Sequence, residues 1–352
     1  MAAPMISSLE FPFPDVPAPG TVTRVAPGVY WLRMALPFAL DHINLWLLED
    51  KVDGAPGWTL VDCGLANDAT RAAWTQIIET VIGRTPVRRL IVTHYHPDHA
   101  GLASWLRARF QCEFWMTQGE YLTAHAVFND AAGYSAEEAL AFYKANGLSA
   151  EHDAELLARG NFYRRMVDAL PRGYRRLIDG QTLTINGQSW QVVVGQGHAP
   201  EHVSLWSSSL GVCISGDMLL PKISTNVSVW TIEPDADPLR LFLQSIPRYR
   251  QLPADTLILP SHGLPFRGAH LRVDALEQHH AERLADMEAA LRNASEPLAA
   301  AALLETLFRR KLDLHQTTFA MGEAVAHLHH LFYAGRLTRR VGSDGVLRYA
   351  VA

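Results

Sequence analysis

The sequence has few cysteines. Three occur in 352 residues, Cys63, Cys112 and Cys213, and no two of them form a CxxC pair. This scarcity excludes a disulfide framework and favours three small buried hydrophobic side chains. Such cysteine usage is typical of a reducing compartment, and we expect the protein in the cytoplasm.

The sequence also lacks long apolar runs and a strong charge of one sign. Residues 1–8 have neither the basic start nor the apolar stretch of a signal peptide. No run approaches the roughly 20 apolar residues that a membrane helix needs. We therefore expect a soluble protein without a membrane partner. The formal net charge of −5 gives no overall attraction to nucleic acid.

Strand-like sequence occurs in two halves with a helical stretch between them. Short strands and helices alternate from residue 28 to residue 110, including a helix over 99–110, and strand-like runs resume over 181–259. Residues 119–177 are rich in alanine, tyrosine and charge and predict a helical insertion. The pattern predicts an α/β fold in which two sheets pack face to face with helices outside. The insertion either covers the mouth of a site or is a surface helical pair without a role.

The last part of the chain has a different pattern. Three helices, over 269–292, 297–309 and 318–334, precede an alternating stretch around Ser343, Asp344 and Gly345 that predicts a hairpin. This order is typical of a winged helix, so we divide the chain into a catalytic domain, 1–267, and a small C-terminal domain, 268–352.

A nucleic-acid face on this domain would need a basic surface. The candidates are residues 309–311, Arg336, Arg339 and Arg340. From Gly263 onward, however, 11 Lys and Arg stand against 10 Asp and Glu, a weak basic balance. We therefore favour packing, homodimer formation or shaping of the site over contact with nucleic acid.

A cluster of metal-binding residue types follows the strand-like run at 87–92, in the segment His94-Tyr95-His96-Pro97-Asp98-His99. An extended i, i+2 pair points His94 and His96 the same way, and a turn at Pro97 returns Asp98 and His99 toward the same space. Four donors at the end of a strand are an improbable coincidence, and sites in layered α/β folds form there. The cluster predicts a metal site.

The cluster alone has too few donors to fill two coordination shells. Three further residues follow strand-like runs and stand beside glycine: His198, Asp217 and His262. Each alone is compatible with an ordinary core or loop position. Together with the cluster they predict one complete site.

This ordered set resembles the metallo-β-lactamase superfamily, in particular its glyoxalase II-like hydrolase branch. The resemblance covers about residues 25–265 and implies an αββα sandwich. The C-terminal segment is similar to the winged-helix domain attached to some members, which include ribonuclease-like proteins.

The resemblance also implies the role of each donor. His94, His96 and His198 would hold a first metal ion; Asp98, His99 and His262 would hold a second, with Asp217 bridging them. Asp62 matches a family aspartate that orients a ligating histidine. The cofactors implied are two divalent metal ions, zinc first, with iron or manganese as alternatives.

The resemblance implies hydrolysis of a small-molecule substrate, an ester, thioester or lactone, by hydroxide that a dinuclear site activates. Asp98 would also orient the nucleophile or carry its proton. Three alternatives are phosphodiester or RNA cleavage, oxidation by a mononuclear iron sulfur dioxygenase, and nucleic-acid binding without catalysis.

Five residues are candidate substrate contacts. His42 precedes a strand near the site and is equally compatible with a structural role. Tyr95 lies between two donors, Lys222 and Asn226 could bind a substrate anion, and Trp230 is a candidate pocket wall.

Overall fold

One sheet is built from the first half of the chain. The computed structural model describes residues 8–131, 133–308 and 312–352. The sheet has the strand order β1-β2-β3-β4-β5-β6-β7, with β1 (Thr23–Ala26), β2 (Val29–Ala35), β3 (His42–Val52), β4 (Ala55–Val61), β5 (Val87–Ile91), β6 (Glu113–Met116) and β7 (Arg175–Arg176). Strands β1 to β4 pair antiparallel, and β4 to β7 pair parallel.

Three helices follow strands of this sheet: α1 (Asp68–Ile77), α2 (Pro97–Ala100) and α3 (Ala103–Phe110). The Asn67 side chain accepts the Thr70 N–H at 2.8 Å and so begins α1. The single helix expected over 99–110 is divided at Gly101. This glycine lies so close to neighbouring backbone that an added Cβ would be 2.4 Å from the Gly64 carbonyl oxygen.

The stretch between β6 and β7 is helical, as predicted. It contains α4 (Gln118–Phe128), α5 (Ala136–Ala145) and α6 (Asp153–Arg159), with short 3-10 turns at Ala150–His152 and Tyr163–Arg165. Helix α5 begins with a capping box between Ser135 and Glu138.

A second sheet has the order β12-β11-β10-β9-β8. Its strands are β8 (Thr182–Ile185), β9 (Gln188–Gly195), β10 (His202–Ser207), β11 (Val212–Gly216) and β12 (Leu257–Pro260), with α7 (Pro238–Ser245) between the last two. A hydrophobic core between the sheets includes Trp31, Trp46 and Trp190, and further cores lie under the helices on each outer face. The protein is therefore a layered α/β sandwich, as predicted.

The chain ends with α8 (Ala269–Asn293), α9 (Leu304–Phe308), α10 (Leu314–Tyr333) and a hairpin of β13 (Leu337–Val341) and β14 (Leu347–Val351). The helix expected from residue 297 starts later, at a 3-10 turn from Ala300. Leu298 instead exchanges two backbone hydrogen bonds with Tyr349 of the hairpin, at 2.8 and 3.0 Å. The winged-helix description and the boundary at residue 267 stay predictions.

The C-terminal segment shares one hydrophobic core with the second sheet and the insertion, to which Tyr143, Ile258, Leu276 and Leu328 all belong. Of its candidate basic residues, Arg336 pairs with Glu288 and Arg339 with Asp235, while residues 309–311 lie outside the described part of the chain. Among the described residues, none of the helices is both long enough and apolar enough to cross a bilayer.

Candidate metal centre

The seven predicted donors follow strands of both sheets, five of them in loops and two, Asp98 and His99, in helix α2. His94, His96, Asp98 and His99 come after β5, whereas His198, Asp217 and His262 follow β9, β11 and β12. The structure brings them together in two groups. The first contains His94, His96, His198 and Asp217, the second Asp98, His99 and His262, with the donor atoms of each group within 4.8 Å of one another.

The donor atoms of the first group lie close enough together to share one cation. His94 Nε2 is 2.9 Å from His96 Nδ1 and 3.2 Å from His198 Nε2. Asp217 Oδ2 is 3.4 Å from His198 Nε2 and 4.0 Å from His94 Nε2. Tetrahedral ligands with metal bonds of about 2.0 Å stand about 3.3 Å apart, so these atoms can surround one cation.

Asp217 also faces the second group through its other oxygen. Asp217 Oδ1 is 3.5 Å from both His99 Nε2 and His262 Nε2. Asp98 Oδ2 lies 3.7 Å from His99 Nε2 and 3.5 Å from His262 Nε2. One carboxylate therefore offers one oxygen to each group.

Hydrogen bonds on the far side of three imidazoles fix which nitrogen faces the centre. His198 Nδ1 donates to the Asn226 carbonyl and His262 Nδ1 to the His42 carbonyl, each at 2.7 Å. His99 Nδ1 donates to Asp62 at 2.8 Å. Because a carbonyl or carboxylate oxygen accepts, each Nδ1 carries a proton, and Nε2 is the nitrogen that faces the centre.

Asp62 lies behind His99, on the side of the ring away from the centre. Besides the His99 bond, it accepts the Thr93 backbone N–H at 2.8 Å and the Thr93 hydroxyl at 2.9 Å. Its φ of 64° is in the left-handed region, which aspartate tolerates better than most residues. The turn after β4 thus aims this carboxylate at the start of the donor loop.

Burial and mutual charge set the protonation of the cluster. Burial, followed by the neighbouring histidines, lowers the pKa of His94 well below its ordinary value. Burial alone would also lower the pKa of His99, but the carboxylates of Asp62, Asp98 and Asp217 together raise it. Burial would raise the pKa of Asp217, and His262 and His99 reverse this and hold it low. Carboxylates and imidazoles are thus held in mutual attraction.

Two buried donor atoms fit a cation. His99 Nε2 and Asp217 Oδ1 are shielded from solvent and have no hydrogen-bond partner among the described residues. A buried polar atom without a partner is costly, and coordination of a metal ion would satisfy both atoms. Imidazole and carboxylate donors without a thiolate suit zinc, iron or manganese.

The candidate substrate contacts lie at different depths. Tyr95 is buried beside the His96 ring, at 4.7 Å between ring centroids. The His42 side chain accepts the Gly263 N–H at 2.8 Å and bonds to Asp41, which is a structural arrangement. Lys222 is exposed on the loop after β11.

Asn226 and Trp230 lie on the same loop. The Asn226 backbone bonds to His198, and its side chain contacts Glu323 of α10 at 3.4 Å. Trp230 is partly buried and meets Phe319 of α10 edge-on, with 6.2 Å between ring centroids.

His202 supports the centre but was not predicted from the sequence. It is fully buried at the start of β10, and its Nε2 accepts the Asp217 backbone N–H at 3.0 Å. Gly216, with φ of 54°, permits this contact because a Cβ there would lie 2.3 Å from His202 Nε2. The spacing of four residues from His198 was the only available signal.

Glu120 was also missed. This fully buried carboxylate of α4 accepts the Tyr95 N–H at 2.9 Å and the Glu201 N–H at 2.6 Å. Burial raises the pKa of Glu120 to about 8, against the opposing effect of these two N–H groups. The residue belongs to the insertion, which has no readable motif.

Comparisons with known proteins identify the family of the chain. The sequence profile of the metallo-beta-lactamase superfamily matches residues 40–262, and that of the metallo-beta-lactamase-like C-terminal domain matches residues 284–352. A beta-lactamase domain protein from Burkholderia ambifaria has 48% identity and a TM-score of 0.89 over 98% of this chain and 97% of its own.

Two other relatives are more distant. A metallo-beta-lactamase family protein from Thermus thermophilus has 28% identity and a TM-score of 0.77, covering 94% of this chain and 100% of its own. A probable metallo-hydrolase of Bacillus subtilis is 23% identical over 305 residues, which are 84% of this chain and 90% of the relative. Because the superfamily profile matches residues 40–262, more than half of the chain, the chain belongs to the metallo-β-lactamase superfamily.

Proposed function

We propose that this protein is a hydrolase with two divalent metal ions that cleaves a small ester, thioester or lactone. His94, His96 and His198 would hold one ion, Asp98, His99 and His262 the other, and Asp217 would bridge them. Zinc is the first candidate, with iron or manganese as alternatives. A place in the glyoxalase II-like branch and in the cytoplasm is part of the same proposal.

The observation that carries this proposal is the position of Asp217 between the two groups. One of its oxygens is 3.4 Å from His198, and the other is 3.5 Å from both His99 and His262. A carboxylate that serves a single cation does not need a separate set of imidazoles at each oxygen. When bound, a pair of divalent ions lowers the pKa of water and polarises a carbonyl or phosphoryl oxygen.

The chain's own residues divide the remaining work. Asp98 is the more exposed of the two donor carboxylates, with 19% of its side chain accessible against 9% for Asp217. It is therefore the donor carboxylate that can meet a substrate or a reacting water, and we assign it the orientation of the nucleophile or the transfer of its proton. The imidazoles of His99, His198 and His262 would present Nε2 to the ions, because Nδ1 of each is hydrogen-bonded on the far side.

The test is metal analysis together with a substrate panel. The purified protein should contain two zinc ions per chain, and it should hydrolyse members of a panel of lactones, thioesters and esters. Chelation should abolish turnover, and added Zn²⁺ should restore it. Asp98→Ala should lower kcat by a factor of about 10² or more, in the range of a positioned acid or base.

Asp255→Ala, in the turn before β12, is the matched control and should keep wild-type turnover. A single iron ion with oxygen uptake would replace the hydrolase with the dioxygenase alternative. Metal-dependent cleavage of phosphodiesters alone would favour the nuclease alternative. No metal binding would end the proposal.

A further inference from the structure

Glu120 lies outside the seven donors, yet it contacts two of the three segments that carry the first group. We propose that Glu120 is the positioning residue that sets the distance between His94 and His96 on one side and His198 on the other. The inference rests on the proposed two-metal function, since it concerns the geometry of that site.

The geometry is a bridge across the two sheets. Tyr95 lies between His94 and His96 in the loop after β5, which belongs to the first sheet. Glu201 lies three residues after His198, immediately before β10 of the second sheet. Glu120 Oε2 accepts the Tyr95 N–H at 2.9 Å, and Oε1 accepts the Glu201 N–H at 2.6 Å. One buried carboxyl group thus joins the two segments.

The chemistry of the side chain explains why a carboxylate is needed. Both backbone groups are donors, so the bridging side chain must accept at both ends, and a carboxyl group has an acceptor lone pair on each of its two oxygens. Glutamine would direct its NH₂ group at one of the two N–H donors. That loop would lose its acceptor in a buried environment, where an unpaired N–H is costly.

A second contact between the same parts provides a control. The Glu201 carboxylate accepts the Gly119 N–H at 2.7 Å and the Glu201 carbonyl accepts the Thr117 hydroxyl at 2.9 Å. These bonds attach the start of α4 to the turn after His198, but they do not reach the loop of His94 and His96. Glu201→Ala therefore weakens the attachment of the helix while leaving both N–H groups bonded to Glu120.

The experiment measures Zn²⁺ binding to chelator-treated protein by competition with a chromophoric chelator. For Glu120→Gln we expect one of the two dissociation constants to rise 10- to 100-fold, the range for residues behind metal ligands. The other constant should change less than about threefold, and the visible spectrum of the Co²⁺-loaded protein should change. Glu201→Ala should keep both constants within about threefold of wild type.

Each other outcome is decisive. If Glu120→Gln lowers only the free energy of unfolding and leaves both constants unchanged, the residue is structural and the inference is wrong. If Glu201→Ala weakens zinc binding as much as Glu120→Gln does, the loss of affinity comes from the attachment of the helix and not from the Glu120 bridge. Should Glu120→Gln fail to fold, Glu120→Asp replaces it. This variant must raise one of the two dissociation constants, by less than the 10- to 100-fold expected for Glu120→Gln. A wild type that binds no zinc would contradict the proposed function instead.

Discussion

Three histidines of the centre are oriented by acceptors on the side away from it. For His198 and His262 the acceptor is a backbone carbonyl, whereas for His99 it is the Asp62 side chain. A side-chain acceptor can be changed by mutation without altering the ligand. Asp62 therefore allows the orientation of one ligand to be tested alone.

We predict that Asp62→Asn lowers the affinity for the second metal ion by about 10- to 100-fold, because residues behind metal ligands have effects of this size. The asparagine oxygen would stay on the Thr93 donors, and its NH₂ group would face His99 Nδ1. The His99 proton would then move to Nε2, the atom that must bind the cation. Chelator competition would measure the two dissociation constants.

Asp53→Asn is the matched control because Asp53 also has positive φ, 50°, and lies on an exposed turn. It should bind metal like the wild type. Equal affinity in Asp62→Asn and the wild type would contradict the orienting role.

The donor set could be predicted because its chemistry is visible in the chain. His94 to His99 are contiguous, and the later donors each follow a strand-like run next to glycine or alanine. Glu120 and His202 could not be predicted in this way. Glu120 acts through backbone N–H groups that have no sequence signature, and only the fold brings α4 against Tyr95 and Glu201.

At the scale of elements, α8 and α10 meet through a buried histidine pair. His280 Nδ1 lies 3.2 Å from His327 Nε2, and His327 Nδ1 donates to the Glu323 carbonyl at 2.8 Å. Burial lowers the pKa of His280 to about 2 and that of His327 to about 4. Both are therefore neutral in the folded protein at neutral pH.

This pair should make the protein sensitive to acid. The folded pKa values lie below the unfolded value of about 6.5, so the unfolded state binds protons first, and stability falls as pH decreases below about 6.5. Each such histidine lowers the free energy of unfolding by about 1.4 kcal/mol at pH 5.5. Urea denaturation at pH 7.5 and 5.5 should show a smaller loss of unfolding free energy for His280→Leu than for the wild type.

His152→Gln, at a partly exposed histidine of the insertion, should lose as much stability as the wild type between the two pH values. If His280→Leu also loses as much, the pair does not govern the acid sensitivity of this contact.

Gly101 tests the junction between α2 and α3. We predict that Gly101→Ala lowers the free energy of unfolding by about 1–3 kcal/mol, the range for overpacking. A Cβ there would stand 2.4 Å from the Gly64 oxygen and 2.6 Å from the Pro97 oxygen. Gly173→Ala is the control, because a Cβ at Gly173 would have no heavy atom within 4 Å other than those of Gly173 and its two chain neighbours. Urea denaturation of both variants should separate them, and equal stability would contradict the close approach.

The position of Gly101 also shows a limit of predicting helix bounds from the sequence. The apolar spacing over 99–110 predicts one helix, and residues Ala103–Phe110 do form one. The break before it depends on the approach of the turn after β4, a contact between residues nearly 40 positions apart. The apolar periodicity of a short stretch of sequence gives no information about a contact over that distance along the chain.

At the scale of the whole molecule, α10 supports the loop that holds His198. The Val229 N–H donates to the Gly322 carbonyl at 3.1 Å, and Asn226 of the same loop accepts the His198 proton. A Cβ at Gly322 would lie 2.8 Å from Ser228 Cβ and 3.1 Å from the Val229 oxygen. The C-terminal segment therefore reaches the metal centre through this loop.

We predict that Gly322→Ala displaces the loop and lowers the affinity for the first metal ion by about tenfold. This is the low end of the range for residues behind metal ligands. The free energy of unfolding should change little, because alanine favours a helix by roughly 1 kcal/mol over glycine, and this gain would offset the cost of the close approach to the loop. Zn²⁺ competition and urea denaturation would measure the two quantities, with Gly173→Ala again as control. Unchanged zinc affinity would mean that the loop holds His198 without support from α10.

The layered architecture could be predicted from two strand-rich halves separated by helices. The association of the insertion with the C-terminal segment could not, because it depends on the packing of surfaces far apart in sequence. Ala301 donates to the Asn146 carbonyl at 3.1 Å, and Tyr143 and Leu148 of the insertion lie in the same core as Ala300 and Leu303.

This shared core limits how the protein can be recombined with its relatives. Gly147, with φ of 90°, packs against the segment before α9, where a Cβ would lie 2.6 Å from Ala299 Cβ. A chimera that takes the insertion from one relative and the C-terminal segment from another would bring together surfaces that do not match. The two segments should therefore be exchanged as a pair, and we expect soluble chimeras only when both come from the same parent.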